Sequence, residues 1–526
     1  MKRSAVKTVS VMVAATAFSK LLGMLRGILL ASHYGTSPEA TAFSAASRIP
    51  LSFFDILFGS AILGCFIPVY NSLVSAADER RFDEADKFAG IYLNFILLLT
   101  GIITALGLIF ARGMISMLAS GLDKTTFELA VRLFRIMLPL IMLAGSAYTL
   151  VGVLQSRGEF IFPSLISCFS NSFVIIYFLF FDRSFGIAGL AAAYLAAWGI
   201  QLVTLIIPLK KRGFRFYALF DFGNKAFLKA LKATPKVVAG SWLIPFSLLI
   251  GLDFSLRSGT EGAVPAFEYA TTLFIIAAGI LTYGICNYSF PEMSRRAANE
   301  HAGNAENVGF NEAAREALFV SLLITLPVLC AMTVLSPNIT AVIYMRGSFD
   351  VNSCRLVAAA LKAVSTAIPA FAVCEVMSRS FYALGKNSVP ATAALSGIVS
   401  DFLLSYLFVS ILKLGPSSAA AAMSCGLWVS ALVMLCCAGS IKGFFKTRDA
   451  LWTAKAAVSA VLSYAVMNLT VVLIGADAFT CGFWKNAGVC AAVFIPGAAV
   501  YAVSLIIIRE PYSQAFLNSK SGRKKA

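Results

Sequence analysis

Run after run of about 20 apolar residues, each closed off by a short polar or basic connection, matches the helical length that a bilayer core requires. We place these runs near 6–33, 40–74, 86–112, 126–155, 161–182 and 186–209, and again near 233–256, 264–290, 312–335, 352–384, 388–412 and 416–440. Two more lie near 451–474 and 484–508, about fourteen in all. With 59% hydrophobic and 13% charged residues, and a mean hydropathy of +0.82, the chain is far too apolar for an ordinary soluble protein. The fold class is therefore an all-α polytopic membrane protein.

The first two runs break their own pattern. Within residues 18–55 stand Lys20, Arg26, Arg48 and Asp55. An ionisable side chain near the middle of a membrane helix costs roughly 2.5–3.5 kcal/mol, so such groups normally face a protein interior or a wet cavity. Three cations against one carboxylate leave a positive surplus that an anionic ligand would neutralise. Lys20 and Arg26, six residues apart, point about 120° away from each other, whereas Arg48 and Asp55, seven apart, share a face. Gly23 and Gly27 let a neighbouring backbone come close beside them, and Pro50 frees a carbonyl in the second run. The plainer alternative is that Lys20 and Arg26 snorkel to an interface and Arg48 reaches Asp55 through a neighbour.

A formal charge of +17 suggests nucleic acid at first sight, but the cations sit in short loops between apolar runs, the pattern of a topology signal. Lys2, Arg3 and Lys7; Arg80, Arg81 and Lys87; Lys210, Lys211 and Arg212; Arg295 and Arg296; Lys442, Lys446 and Arg448; and Arg523, Lys524 and Lys525 all fall on one side. Both termini are then cytoplasmic, and no nucleic-acid partner is expected. The first run is too long and too interrupted by charge to read as a cleaved leader. Eleven cysteines lie mostly inside apolar runs without metal or disulfide spacing, and His33 and His301 have no ligand-spaced partner. No phosphate-binding glycine loop, nucleophile elbow or dinucleotide turn is present, so neither an enzyme nor a cofactor is expected.

The chain also repeats itself. QSRGEFIFPSLIS at 155–167 meets YALGKNSVPATAA at 382–394, with Gly158 over Gly385 and Pro163 over Pro390, 227 residues apart. Pro68 meets Pro291 at a similar offset. Two parallel six-helix lobes follow, 1–209 and 233–440, joined by a basic cytoplasmic linker at 210–232. Residues 441–526 add two helices and a basic cytoplasmic tail. Transporters of this build hold substrate between lobes, which sets the first, second, seventh and eighth helices around a central cavity. Arg132 and Arg135 read as interface anchors, and Glu375 with Arg379 as a helical ion pair. Asp253, Glu268 and Asp401, together with Asp55, are candidates for coupling or gating, by binding Na⁺ or a proton or by pairing with a first-lobe cation. The last two helices either form a groove open to lipid or simply pack.

AFSKLLGMLRGILLASHYG, ATAFSAASRIP, GVLQSRGEFIFPSLIS with Asn171, and RGSFDVNSCRLVAAAL through RSFYALGKNSVP together resemble the MurJ/MviN proteins of the MOP exporter superfamily. The resemblance implies fourteen helices and movement of lipid II, the undecaprenyl-pyrophosphate-linked peptidoglycan precursor, across the bacterial inner membrane. It implies that Lys20, Arg26 and Arg48 bind the pyrophosphate, that the lipid tail lies along the last two helices, and that cell-wall synthesis proteins are partners alongside membrane lipids. The sequence departs from that family's pattern at Gly27, Thr41, Phe54, Gly59 and Thr272, where charged residues are usual. Three functions compete on these residues: a flippase for lipid II or another polyprenyl-pyrophosphate-linked glycan, a cation or drug exporter, and a non-transporting scaffold. The basic first helices speak against the exporter, which would want an acidic cavity.

Overall fold

The computed structural model describes residues 2–55, 62–74, 80–119, 121–301, 308–441 and 443–507, and the described residues form helices and turns without strands. The helices are α1 (Lys2–Tyr34), α2 (Pro38–Phe54), α3 (Ile67–Val74), α4 (Arg80–Ile109), α5 (Ala111–Leu118), α6 (Lys124–Met137), α7 (Leu140–Ser156), α8 (Ile161–Phe180), α9 (Asp182–Lys211) and α10 (Lys225–Ala239). They continue with α11 (Leu243–Arg257), α12 (Ala263–His301), α13 (Val308–Val334), α14 (Ser336–Tyr344), α15 (Val351–Ser365), α16 (Ile368–Ala383), α17 (Ser388–Ser405), α18 (Ser418–Gly439), α19 (Thr447–Ile474) and α20 (Phe483–Ile507). Among the described residues ten helices are long and apolar enough to cross a membrane, or eleven if α15 and α16, bent by 46°, count as one span.

The expected spans outside that set are the first, second and seventh. In the second, α2 is described to Phe54, and a π-helical turn, Ile62–Phe66, leads into α3. The seventh, expected as one helix over 233–256, is two: α10 begins inside the expected linker, capped by Asn224, and the chain breaks at 240–242 before α11.

Turn chemistry repeats with the sequence. Asp123 caps α6 by accepting from the backbone N–H of Thr125 and Thr126, and Asp350, 227 residues later, caps α15 by accepting from Ser353. After α7 the Gly158 and Glu159 N–H groups turn back to Gln155 and Leu154; after α16 Gly385 and Lys386 turn back to Tyr382 and Phe381 in the same way. Left-handed backbone recurs at the same spacing, at Gly35 and Gly262, at Gly158 and Gly385, and at Gly186 and Lys413. The repeat therefore extends from sequence into the hydrogen bonding of its turns.

Two compact units divide at Pro265 and Ala266. In the first, α1 runs along α8, α8 along α9, α2 against α6 and α7, and α4 against α7. The repeat makes α11 the counterpart of α1, and the sequence reading opens its second lobe at 233. By packing, α11 lies in the first unit, against α2 and α5, with the loop at Gly121 close on the Leu256 carbonyl.

The segment after α9 is strapped to α4. Arg157 and Asp86 form an ion pair with both side chains buried, Tyr70 donates to Asp86 at 2.9 Å, and Asp86 also accepts from the Arg215 backbone N–H at 2.9 Å. Asn94 donates to the Leu219 carbonyl at 2.8 Å, and Tyr217 donates to Asp83. Gly90 is where this backbone crosses α4: a Cβ there would run into the Tyr217 carbonyl.

In the second unit α17 packs on α18, and α13 on both α16 and α19. The final pair, α19 and α20, is fastened by an apolar cluster of Cys330, Leu335, Met467, Val493, Tyr501 and Leu505. Polar ties add to it: Asn338 donates to Asn486 at 2.8 Å, Tyr501 to the Leu323 carbonyl at 2.9 Å, and Arg315 meets Asp449 at 3.5 Å with both side chains buried. The opposite face, with Leu451, Val461, Leu469, Val472 and Leu473, is exposed, as befits a surface turned to acyl chains.

Candidate functional site

Arg26 is held by residues of two other helices. Its Nη1 donates to Asn171 Oδ1 on α8 at 3.0 Å, and its guanidinium lies 5.0 Å from the centre of the Tyr194 ring on α9. Asn171 is fixed in turn, its Nδ2 donating to the Ser19 carbonyl at 3.2 Å while its amide lies against Gly23. An aromatic face attracts a cation, and an amide oxygen accepts one N–H of five, so these contacts orient the fork without neutralising it. Arg26 Nε is buried and makes no hydrogen bond in the structure. A buried donor of this kind is costly until something anionic meets it.

The other predicted residues are placed differently. Lys20 is exposed and Arg48 half-buried on α2. Asp55 follows α2, its backbone N–H donating to the Leu51 and Ser52 carbonyls while its side chain is exposed. Arg26 and Arg48 lie on helices that both belong to the first unit, each packed mainly on other partners, α1 on α8 and α2 on α6.

Asp253, which has no evident local partner by sequence reading, finds one four residues on: Arg257 Nη2 lies 2.8 Å from its Oδ2. Its Oδ1 is buried without a hydrogen bond. Asp253 stands 227 residues after Arg26, so the first helix of each repeat carries opposite charge at the same position. Glu268 is half-buried on α12. Asp401 is fully buried where α17 crosses α18, accepting from Ser405 at 3.3 Å. A Cβ on Gly426 would sit 2.8 Å from Asp401 Cβ, so that glycine permits the crossing. Asp401 thus belongs to a helix contact inside the second unit. Glu375 and Arg379 pair along α16 at 3.7 Å as expected, with Arg379 5.7 Å from the Tyr283 ring centre. Arg132 and Arg135 are exposed on α6.

Sequence reasoning missed one constellation. His33 Nδ1 lies 2.7 Å from Asp182 Oδ2, and Tyr34 donates to Asp182 Oδ1 at 2.7 Å. The partners are 149 and 148 residues apart, so spacing carried no signal. His301's side chain lies outside the described residues.

The family model of the lipid II flippase MurJ matches residues 30–488. This chain belongs to the MurJ family. A probable lipid II flippase MurJ of Rhizobium tropici is 28% identical over 410 residues, covering 76% of this chain and 74% of the relative. One from Rickettsia prowazekii is 26% identical, covering 76% and 77%. Among solved structures, a lipid II flippase MurJ in an inward closed conformation aligns with a TM-score of 0.75 at 21% identity, covering 94% of this chain and 99% of that one. An inward-facing multidrug resistance MATE family transporter of the MOP superfamily aligns at 0.68 and 17%, covering 83% and 99%. At such identities the structural likeness speaks to the fold.

Against the MurJ pattern, the departures at Gly27 and Thr41 are accommodated without strain. Gly27 has open space where a side chain would be, and Thr41 is buried, donating to the Ser37 carbonyl at 3.1 Å. Thr272 is half-buried on α12. Gly59 and the Phe54 side chain lie outside the described residues.

Proposed function

We propose that this multi-pass membrane protein is a lipid II flippase, moving the pyrophosphate-linked precursor from the cytoplasmic to the outer leaflet of the bacterial inner membrane by alternating access. The observation that carries this reading is the held but unneutralised guanidinium of Arg26, with Asn171 and Tyr194 orienting it and Nε buried without a partner. A pyrophosphate supplies several anionic oxygens, and an arginine fork takes two at once while keeping its charge in a poorly hydrated site. Arg48 supplies the second cation from α2. Lys20, exposed midway along the same helix, acts as a point charge on the entering headgroup.

In this reading the repeats act as two lobes, 1–209 and 233–440, linked through 210–232, with both termini cytoplasmic and α19 and α20 receiving the acyl tail. Asp55, Asp253, Glu268 and Asp401 remain the acidic candidates for coupling to Na⁺ or protons or for gating. The enzymes that polymerise the exported precursor are the protein partners such a flippase would feed.

The test is reconstitution. Vesicles containing the protein should move fluorescent lipid II between leaflets, and Arg26→Ala vesicles should not. Movement of a different polyprenyl-pyrophosphate glycan in preference to lipid II would reassign the substrate; uptake of an organic cation alone, or no protein-dependent movement of any lipid, would end the flippase reading.

A further inference from the structure

Seven residues beyond Arg26, two helical turns along the same face of α1, stands His33; seven beyond Asn171 on α8 stands Phe178, whose ring centre is 5.2 Å from that of His33. The seam between α1 and α8 that holds Arg26 therefore ends in an imidazole. That imidazole contacts Asp182, the first residue of α9, at 2.7 Å, and the neighbouring Tyr34 donates to the other oxygen of the same carboxylate. Asp182 is largely buried and His33 about two-thirds covered.

We propose that the His33–Asp182 contact is a proton-responsive latch that fixes the outer end of α1, and with it the helix bearing Arg26, to the α8–α9 corner. When the imidazole carries its proton the contact is a charge-assisted ion pair; when the proton leaves, a neutral hydrogen bond remains, with the carboxylate still held by Tyr34. The corner is itself braced: the Tyr177 hydroxyl donates to the Gly186 carbonyl at 2.6 Å, where the backbone turns left-handed. The other ionisable groups facing this cluster are Tyr34 on α1, Tyr177 on α8, Arg183 beside Asp182 on α9, and Glu39 at the start of α2, which acts on Tyr34 electrostatically. Arg183 and Glu39 are exposed and oppositely charged, so neither replaces the proton on His33. The physiological meaning of the latch, outer-leaflet acidity slowing the return of α1, rests on the flippase reading and its orientation; the latch itself does not.

Two measurements separate the two ideas. Hydrogen exchange of the detergent-solubilised full chain, between about pH 5 and 8 and corrected for the intrinsic rate, should show residues 28–37 opening more at the higher pH, by about three- to tenfold, the difference between a charge-assisted and a neutral hydrogen bond. His33→Asn, which keeps a nitrogen near the Nδ1 position but cannot be protonated, and Asp182→Asn should each remove that dependence. A wild-type profile that is flat, or that matches His33→Asn, overturns the latch whether or not the protein moves lipid. In vesicles with fluorescent lipid II, wild type should lose rate as outside pH falls and His33→Asn should not; identical profiles overturn the link to transport. His33→Lys, charged throughout, should give a pH-independent rate at or below that of acidified wild type, and a rate above it contradicts the proposal.

Discussion

Arg157 and Asp86, 71 positions apart, form a buried ion pair that Tyr70 closes on a third side, with Arg157 Nε 2.9 Å from the Tyr70 hydroxyl. Arg157 also donates through Nη1 to the Arg212 carbonyl at 2.6 Å, and Arg212 pairs with Glu159 at 2.6 Å. The linker after α9 is thereby made part of the first unit. Asp86→Asn should destabilise the protein by about 3–5 kcal/mol, because it strands a buried guanidinium. Thermal unfolding in detergent measures this, and hydrogen exchange over 212–222 should rise with it. Unchanged exchange there would show that the ion pair does not hold the strap.

Gly426 should be intolerant of any side chain. Its α-carbon faces Asp401 Cβ and the Gly397 carbonyl, each 2.8 Å from where a Cβ would stand. Gly426→Ala should cost about 1–3 kcal/mol through forced separation of α17 and α18. A melting temperature equal to wild type would mean that this crossing is loosely packed.

The Arg26 site yields a graded series for lipid II movement in vesicles. Arg26→Ala should lower the rate at least about thirtyfold, the equivalent of about 2 kcal/mol for a lost charge-assisted contact. Arg26→Lys should recover part of it, and Asn171→Ala should lose about tenfold by freeing the fork to turn. Lys20→Ala, at an exposed position, should lose only a few-fold. An Asn171→Ala rate equal to wild type would mean that Arg26 needs no orientation.

Topology can be read with single cysteines on a background lacking the eleven native ones. Phe220→Cys and Arg295→Cys, both at exposed positions, should resist a membrane-impermeant maleimide in intact cells, and Ser184→Cys, exposed beside Asp182, should react. The reverse pattern would invert the orientation and place the His33 latch on the cytoplasmic side.

What the sequence by itself determined is what depends on local chemistry. Apolar length declared the membrane helices, cations inside two of them marked the candidate site, and matched turn residues such as Asp123 with Asp350 and Gly158 with Gly385 declared the repeat, since capping and left-handed turns are settled within a few residues. The sequence also misjudged continuity at one point, joining α10 to α11 across 240–242. Only the tertiary structure decided which charges meet. Arg26 with Asn171, His33 with Asp182 and Arg157 with Asp86 join positions 145, 149 and 71 residues apart. It also decided that α11, the repeat counterpart of α1, packs against α2 and α5 in the first unit. Those outcomes depend on which helix faces pack together, and in a chain apolar on nearly every face hydrophobicity alone cannot choose among partners; side-chain shape and the satisfaction of buried polar groups make the choice.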